Sequence, residues 1–525
     1  MIDTVRELLQ KGSEQVETVL AIVAKLVREN ESLTRRLAEQ LSSRHKSEAI
    51  SPDQLQLLLD ELAAHPAGTE QDANERLQEA SDNESKDPDT SNKPPKQPPV
   101  RKPAPDHLER VPNPIAVPDE ERKCPQCGAD RKCVAHDKTE VIELIPAKII
   151  VREDIREVLA CEQCEGEMVR APAGDKVVSG GKYGPNLVAD LVVGKYDEGL
   201  PLDRQRRSLE HLGLSMSTSA MSDQIGWATD LLQPLWRRIM VLVLGSEVMH
   251  MDSTSMPVRD KDTGHQVKLG SLWGYVGYDC NYQSAKPLGL YVFTSTGKQY
   301  GQREDEQGPL EFLRGRRGPI VCDASNLFDP VFKRDDVTEV GCNAHSRRRF
   351  VAALDAGDKR AAYAIKAFES LYRIEDDIAT LSIEQRTTER QARARPIHDE
   401  LIRWCKVYRD REPPKMQLAI AVRYLLNHHL ALTRYIDDGR LPIDNNLMER
   451  QHRYPAIGRR NFLFAGSFVG GHRAAIAYTI IECCRFAGVD PRAYLADVLP
   501  RLNREGVTRS QLDGLLPTNW LRARS

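Results

Sequence analysis

A proline-rich segment divides this 525-residue chain and limits what can fold around it. Ten prolines fall between Ser81 and Glu120, in stretches such as SNKPPKQPPVRKPAP. Such a composition buries too little apolar surface to offset the entropy lost on ordering. We therefore predict a disordered, partly extended linker over residues 46–120, which tethers the preceding segment without fixing its position.

The residues before the linker, 1–45, predict one amphipathic helix. Its apolar positions recur at heptad spacing, with Asn30 in the same seam: Val16, Val19, Val23, Leu26, Leu33 and Leu37. A polar residue in such a seam fixes the register and strand number of a coiled coil. We predict a homo-oligomer formed through this helix; the alternative is a helix that packs on its own protein.

Charge and hydropathy leave a nucleic-acid-binding role open. The formal net charge is −3, so the placement of charge matters more than its total. A hydrophobic content of 40% supports real cores, and no stretch approaches the length of a membrane span. The first residues, MIDTVRELLQKGSEQ, lack a basic-then-apolar signal pattern. These features predict a bacterial cytoplasmic, nucleoid-associated protein without a membrane partner.

Two CxxC pairs follow the linker, with a strand-like segment between them. Each pair can present two thiolates to one metal ion, and two pairs complete a tetrahedral zinc site. A lone CxxC could be redox-active, but the pairing favours one structural Zn²⁺ in a DNA-binding zinc ribbon over residues 121–175. The predicted ligands are Cys124, Cys127, Cys161 and Cys164. Cys133 and His136 are interpreted as bystanders, the alternative being that one of them replaces a cysteine.

Residues 176–240 predict three helical segments with a tight turn at Gly213 before a Ser/Thr-rich helix start. This arrangement is typical of a helix-turn-helix, whose second helix commonly enters the major groove. Many three-helix units merely pack, so both interpretations stay open. On the DNA-binding interpretation, three arginines face phosphate: Arg204, Arg206 and Arg207.

Strand-like segments begin at Glu247 and follow a recognisable order. Three strands, a helical stretch near 307–314, and then a strand, a helix and a strand match the ribonuclease H-like order. The predicted fold class is a multidomain α+β protein: an N-terminal coiled coil, a zinc ribbon, a helix-turn-helix-like helical domain, and a ribonuclease H-like α/β catalytic domain with a helical insertion. The predicted catalytic parts are residues 241–357 for the first part of the core, 358–440 for the helical insertion, 441–500 for the C-terminal catalytic helix region, and 501–525 for a tail.

Three carboxylates are predicted to lie at strand ends or on a late helix of this catalytic domain. Asp252 is predicted to close the first strand, Asp323 to close the fourth, and Glu449 to lie on a late helix. In a ribonuclease H-like sheet the ends of the first and fourth strands are adjacent. Carboxylate oxygens suit Mg²⁺ or Mn²⁺, and two such ions can stabilise both the attacking and the leaving oxygen in phosphoryl transfer.

The chain resembles bacterial transposases of the insertion sequence 66 family, which belong to the DDE class. The resemblance rests on VVGKYDEGLPLDRQ, CNAHSRRRF and the run from DNNLMER through GRRNFLFAG to GVDPRAYLADVL. It implies that Asp252 in HMDST and Asp323 in VCDAS are the catalytic aspartates, and that Glu449 in NNLMER is the catalytic glutamate. Ser253 and Ser325 depart from residues frequent in the family, which implies a divergent subgroup but removes no ligand.

The arginines around Glu449 outnumber the acids. From Arg440 to Arg473 there are six arginines and two acids. One interpretation is a solvated surface helix; the other is a metal-binding carboxylate flanked by cations that track DNA phosphates, since arginine forks match phosphate geometry. The predicted phosphate contacts here are Arg450, Arg453, Arg459 and Arg460. Asn445 and Asn446 are expected to cap or orient the helix.

A second basic cluster follows a predicted strand at His345. It comprises Arg347, Arg348 and Arg349, of which Arg347 and Arg348 are predicted DNA contacts. Ordinary surface arginines at a helix start are an equal alternative.

The predicted function is Mg²⁺-dependent cleavage and strand transfer at the ends of a mobile element. Its partners would be double-stranded DNA, both element ends and target, and accessory proteins of the same element. One alternative is a catalytically inactive or co-opted zinc-ribbon and helix-turn-helix regulator, against which the complete trio of carboxylates argues. Another is a ribonuclease H-like nuclease without transfer activity.

Overall fold

The computed structural model describes residues 148–159, 169–171, 176–178, 181–259, 267–279, 286–295, 308–324, 328–409, 411–503 and 507–520. From Glu153 onward these residues belong to one compact unit. The predicted coiled coil, the linker, the four zinc-ribbon cysteines and Ser325 lie outside the described residues.

Two sheets are present in the described part of the chain. A short antiparallel pair joins β1 (Val158–Leu159) to β2 (Val169–Arg170). The main sheet contains β3 (Val248–Arg259), β4 (Val267–Tyr278), β5 (Leu288–Thr294), β6 (Gly318–Cys322) and β7 (Val337–Gly341). Its order is β5-β4-β3-β6-β7, with β3–β4–β5 antiparallel and β3–β6–β7 parallel. The succession of strands along the chain is the one predicted from the sequence.

Three helices precede the main sheet, as predicted: α1 (Pro185–Tyr196), α2 (Leu202–His211) and α3 (Thr218–Gly245). Gly213 adopts φ +86° in the turn before α3. The Ser217 side chain caps α3 by accepting a hydrogen bond from the backbone N–H of Ala220. α3 is longer than a typical recognition helix and packs against β5, where Trp236 Nε1 donates to Tyr291 O at 3.0 Å. One face of α3 is therefore part of the core, and only its exposed face is free for a DNA role.

A helical layer follows the last strand. It contains α6 (Asn343–Asp355), α7 (Ala361–Asp377), α8 (Ile383–Glu389), a π-helical turn (Arg390–Ala394), α9 (Arg395–Arg409) and α10 (Gln417–Thr433). Two short helices precede it between strands: α4 (Pro309–Phe312) before β6 and α5 (Asp329–Phe332) before β7. Apolar side chains of α6, α7, α9 and α10 share one buried core with the sheet residues Val321 and Val340. The helical layer is thus packed directly onto the parallel half of the sheet.

Arg390 ties this layer to the segment that leads to Glu449. Its buried guanidinium makes two hydrogen bonds to Glu375, at 2.9 and 2.6 Å. It also donates to the carbonyls of Tyr435, Asp438 and Leu441, at 2.7, 3.1 and 2.9 Å. Because all five contacts are charge-assisted and largely shielded from water, they fix the path of the chain just before the late helices.

The C-terminal part consists of short and long helices: α11 (Asn446–Gln451), α12 (Arg453–Phe462), α13 (Phe468–Ala487), α14 (Pro491–Leu502), α15 (Arg509–Leu515) and α16 (Pro517–Trp520). α13 packs across β5. Between α12 and α13, Ala465 exchanges backbone hydrogen bonds with the outer end of β3: its N–H donates to Pro257 O at 2.8 Å, and its carbonyl accepts from Arg259 N at 2.9 Å. None of the described helices combines the length and hydropathy needed to span a bilayer.

Candidate active site

Asp252 and Asp323 lie on neighbouring parallel strands. The register of β3 with β6 pairs Met249 with Ile320 and His250 with Val321, so two further residues bring Asp252 beside Asp323. Asp323 directly follows β6, as predicted. The prediction that β3 ends at Asp252 is wrong, because residues 253–259 continue to pair with β4. What ends near Asp252 is the pairing with β6, so this edge of β3 becomes free at the aspartate.

Side chains from the late helices cover the freed edge of β3. Asn445 is fully buried and donates through Nδ2 to Met251 O at 2.9 Å, while its Oδ1 lies 2.8 Å from His250 Nδ1. The Arg459 guanidinium donates to the Ser255 carbonyl and, at 2.6 Å, to the Ser255 hydroxyl. These contacts place the start of α11 one residue from Asp252. The expectation that Asn445 orients this helix is confirmed, although its side chain makes no capping hydrogen bond.

Glu449 lies on α11 and faces the start of α6. Its Oε2 accepts from Arg348 Nη2 at 3.1 Å, and its Oε1 lies 3.4 Å from His345 Nδ1. Asn446 has a different role, since its amide donates to Asp444 Oδ2 at 2.6 Å beside Tyr372, whose hydroxyl donates to the same oxygen at 2.8 Å. Asp444 is therefore part of a supporting network that holds the N-terminal end of α11.

The protonation of the two aspartates depends on burial and on the neighbouring charges. Burial, the largest cause, together with the charges of Asp323 and Glu449, raises the pKa of Asp252 to about 7, although a hydrogen bond from Ser253 N–H and the charge of Arg348 oppose the shift. Burial and the charge of Glu449 likewise raise the pKa of Asp323. Like charges held together in a partly dry site favour protonation unless a cation is present. The donor set, three carboxylates at a sheet edge, fits a hard divalent cation.

Matches to known families cover most of the chain. The family described as "Transposase IS66 family" matches residues 180–473, which contain Asp252, Asp323 and Glu449. This chain belongs to the IS66 transposase family. The zinc-finger binding domain of transposase IS66 matches residues 121–165, which contain all four predicted zinc ligands, and the IS66 C-terminal element matches residues 479–518.

Relatives of this transposase occur in Sinorhizobium fredii (strain NBRC 101917 / NGR234). A protein described as uncharacterized protein y4hP is 34% identical over 511 residues, covering 94% of this chain and 88% of the relative. Uncharacterized protein y4qI is 30% identical over 440 residues, covering 82% and 79%. The first likeness, at 94% of the chain, extends beyond the residues that the family models match.

The predicted DNA-binding arginines of this IS66 protein fall into two groups. Arg348 bonds to Glu449, and Arg459 bonds to β3, so both are part of the site. Arg450 donates to Asn446 O at 3.2 Å within its own helix. Arg453 and Arg460 are exposed on α12, whereas Arg347 is half-buried on α6.

The arginines of α2 are not brought to this edge of the sheet by any contact in the described chain. Arg206 pairs with Asp203 at 2.9 Å and with Glu210 at 2.6 Å, and Arg207 pairs with Asp203 at 3.1 Å. Arg204 is exposed on the same helix. This pattern strengthens the surface-helix alternative for α2, and the phosphate role of its arginines stays a prediction.

Sequence reasoning missed His452. Its Nε2 lies 3.6 Å from Asp252 Oδ2, and burial lowers its pKa to about 4, so the ring is neutral at physiological pH. His452 follows Glu449 by three residues, a spacing that places two side chains on the same helix face. This spacing could have indicated His452 from the sequence. Space for the ring comes from Gly274, which pairs with Asp252 across β3–β4: a Cβ there would come within 2.9 Å of His452 Cε1.

Proposed function

We propose that this protein is a DDE transposase that cleaves the ends of its insertion sequence and joins them to target DNA. The observation that carries the proposal is the convergence of Asp252, Asp323 and Glu449 from three separate elements, where burial and the charge of Glu449 raise the pKa of both aspartates. Membership of the IS66 family supports the same role. The strand order β5-β4-β3-β6-β7, with only the last two strands parallel to β3, supports a ribonuclease H-like catalytic domain.

The three carboxylates would hold two Mg²⁺ or Mn²⁺ ions. Such a pair supplies charge stabilisation for the attacking and leaving oxygens of a phosphodiester. Water would act as the first nucleophile and free a 3′-hydroxyl, which would then attack the target strand. Asn445 positions α11 against β3, and Arg348 orients Glu449 by binding the oxygen that faces away from His345. The neutral ring of His452 can accept a hydrogen bond beside Asp252, and its lowered pKa makes it a weak proton acceptor.

DNA binding would be shared among several parts of the chain. The zinc ribbon, residues 121–175, would recognise element ends; the helices of residues 176–240 and the exposed arginines Arg453 and Arg460 would contact phosphate. Residues 1–45 would join subunits so that two ends can be held together. Light scattering tests the last point, because a chain shortened at the linker should have a lower oligomeric order.

The decisive experiment uses the purified full-length chain and the terminal DNA of its element. With Mg²⁺ we expect strand cleavage at the ends followed by joining to target DNA, and with EDTA we expect end binding alone. Binding without cleavage under every metal condition would support the regulator instead. Cleavage without joining would support a nuclease.

The zinc site needs its own test. We expect one Zn²⁺ per chain held by Cys124, Cys127, Cys161 and Cys164, and zinc binding in such modules is coupled to folding. Cys161→Ser should therefore lose the zinc and end binding, whereas Cys405→Ala, which removes a thiol buried elsewhere, should keep both. Retention of the zinc by Cys161→Ser would assign it to other ligands.

A further inference from the structure

A second group of metal-binding side chains surrounds Glu449. Cys342, His345 and Glu449 place a sulfur, a nitrogen and an oxygen atom within 4.8 Å of one another. Two of these residues come from CNAH at the start of α6, where a spacing of three puts their side chains on the same face of the first turn. The third is the glutamate that belongs to the proposed catalytic trio.

One polar atom of this group has no hydrogen bond in the described part of the chain, whereas Cys342 Sγ accepts from Asn445 N–H at 3.2 Å. His345 Nδ1 is buried and makes no hydrogen bond in the described part of the chain, although it lies 3.4 Å from Glu449 Oε1. Cys342 is fully buried, and its Sγ lies 3.9 Å from the same oxygen. Buried polar groups are normally hydrogen-bonded, so an unpaired ring nitrogen beside a thiol and a carboxylate points to an absent partner.

The distances are close to those of a tetrahedral metal site. Bond lengths of about 2.3 Å to sulfur and about 2.0–2.1 Å to nitrogen and oxygen imply ligand atoms roughly 3.3–3.6 Å apart. The histidine–glutamate separation of 3.4 Å already meets this, and the cysteine–glutamate separation of 3.9 Å requires only a small side-chain rotation. The sulfur and imidazole ligands select a borderline or soft cation such as Zn²⁺ over Mg²⁺.

We propose that Cys342, His345 and Glu449 form a second Zn²⁺ site, separate from the zinc ribbon, whose occupancy inhibits the enzyme. Binding replaces the S–H bond of Cys342 with an S–Zn bond and releases the proton to solvent. Zn²⁺ would occupy Glu449 Oε1, which already lies beside His345 and Cys342. Only Oε2, which accepts from Arg348, would then remain for a cation shared with the aspartates. The inhibitory consequence rests on the proposed function, whereas the binding site does not.

Binding is tested with Co²⁺ as the probe, on full-length protein whose zinc ribbon is already loaded with zinc. We expect one Co²⁺ per chain with the ultraviolet absorption of a thiolate-to-cobalt charge transfer. Cys342→Ser should lose that absorption and His345→Gln should weaken binding by more than the ~10–100-fold typical of losing a supporting residue. The matched control is Cys405→Ala, which should behave as the parent. Equal absorption and stoichiometry in Cys342→Ser and the parent would overturn the site, because the signal would then come from the zinc ribbon.

Inhibition is tested separately in the DNA cleavage assay. At saturating Mg²⁺, added Zn²⁺ should stop the parent and Cys405→Ala while Cys342→Ser stays active. If the parent cleaves DNA and Zn²⁺ inhibits Cys342→Ser as strongly as Cys405→Ala, the inhibitory role is refuted. A parent that binds Co²⁺ through Cys342 but never cleaves DNA would leave the metal site standing and refute the proposed function.

Discussion

Two regions of this protein bury carboxylates, and their counter-charges come from different places. In the helical layer, Glu375 is bonded through both oxygens to Arg390, whose remaining N–H groups are taken by backbone carbonyls. At the edge of β3, Asp252 has Asp323 and Glu449 as neighbours, and its pKa is raised to about 7. The first region is complete by itself. The second is incomplete, because the charge of Arg348 only partly offsets the burial of Asp252 and the charges of its two neighbouring carboxylates. A bound divalent cation would supply the remaining positive charge.

The largest effect should come from removing a carboxylate from the incomplete region. Asp252→Asn, Asp323→Asn and Glu449→Gln should each lower the rate of DNA cleavage by about a thousandfold or more, since each loses a charge that binds the metal. End binding should persist, and without metal the Asp252→Asn protein should melt at a higher temperature than the parent because a buried repulsion is gone. Cleavage assays and thermal melts measure both effects. A variant that cleaves at a near-normal rate would exclude its residue from the trio.

In the helical layer, removing a charged partner should destabilise the protein rather than stabilise it. Arg390→Met should lower the free energy of unfolding by about 3–5 kcal/mol, because it leaves the partly buried Glu375 unpaired and removes the donor to three backbone carbonyls. The matched control is Arg393→Met, which removes an exposed ion pair with Asp377 and should cost no more than about 1 kcal/mol. Urea denaturation of the two variants measures the difference. Equal midpoints would show that the two regions do not differ as described.

The pH dependence of the free energy of unfolding should reveal the raised pKa of Asp252, and this measurement needs no activity assay. The native pKa of Asp252, about 7, lies above the ordinary aspartate value of 3.8, so between these pH values the metal-free native state binds a proton that the unfolded chain has lost. The contribution of Asp252 to stability should therefore be greatest below about pH 4, fall as the pH rises toward 7, and level off above it. The contribution of Asp252 is at most about 4 kcal/mol.

Comparison of parent and Asp252→Asn isolates this contribution. Unfolding free energies measured between pH 4 and pH 8 should fall less steeply in the variant, and saturating Mg²⁺ should flatten the parent curve because the cation replaces the proton. Parallel curves for the two metal-free proteins would contradict the raised pKa.

The smallest expected effect is on the salt dependence of DNA binding. It should differ between arginines that contact DNA phosphates and arginines that pair with acids of the protein. Arg453→Ala and Arg460→Ala should each flatten the salt dependence of DNA binding by about one unit of log–log slope, since each would lose one phosphate contact. Arg206→Ala should change the slope less, because Asp203 and Glu210 already neutralise it. Arg459→Ala should also reduce cleavage, because its guanidinium holds β3. Titrations of DNA at several salt concentrations provide the slopes. Unaltered slopes in Arg453→Ala and Arg460→Ala would show that these arginines do not contact DNA phosphates.

The sequence was sufficient for the order of strands, because period-two patterns are local signals. It also nominated Asp252, Asp323 and Glu449 as the catalytic trio, and that assignment stays a prediction. The sequence was insufficient for the end of β3, since the pairing partner that changes at Asp252 lies far along the chain. The tie from Asn445 to Met251 and the approach of His452 to Asp252 depend on how α11 packs against β3, which no local pattern encodes. The Arg348 contact with Glu449 was missed for the same reason, and Arg348 was predicted to bind DNA.

The hydrogen bond between Asn445 and Met251 joins residues 194 positions apart, and this separation matters during synthesis. At about 5–20 residues per second, a ribosome needs roughly 10–40 s to pass from β3 to α11. Throughout that interval the nascent chain carries the zinc-finger segment and Asp252 but has no glutamate to complete the trio. A polypeptide terminated early in this interval would still present the DNA-recognition segments, occupy element ends without cutting them, and so act as a competitor of the full-length protein.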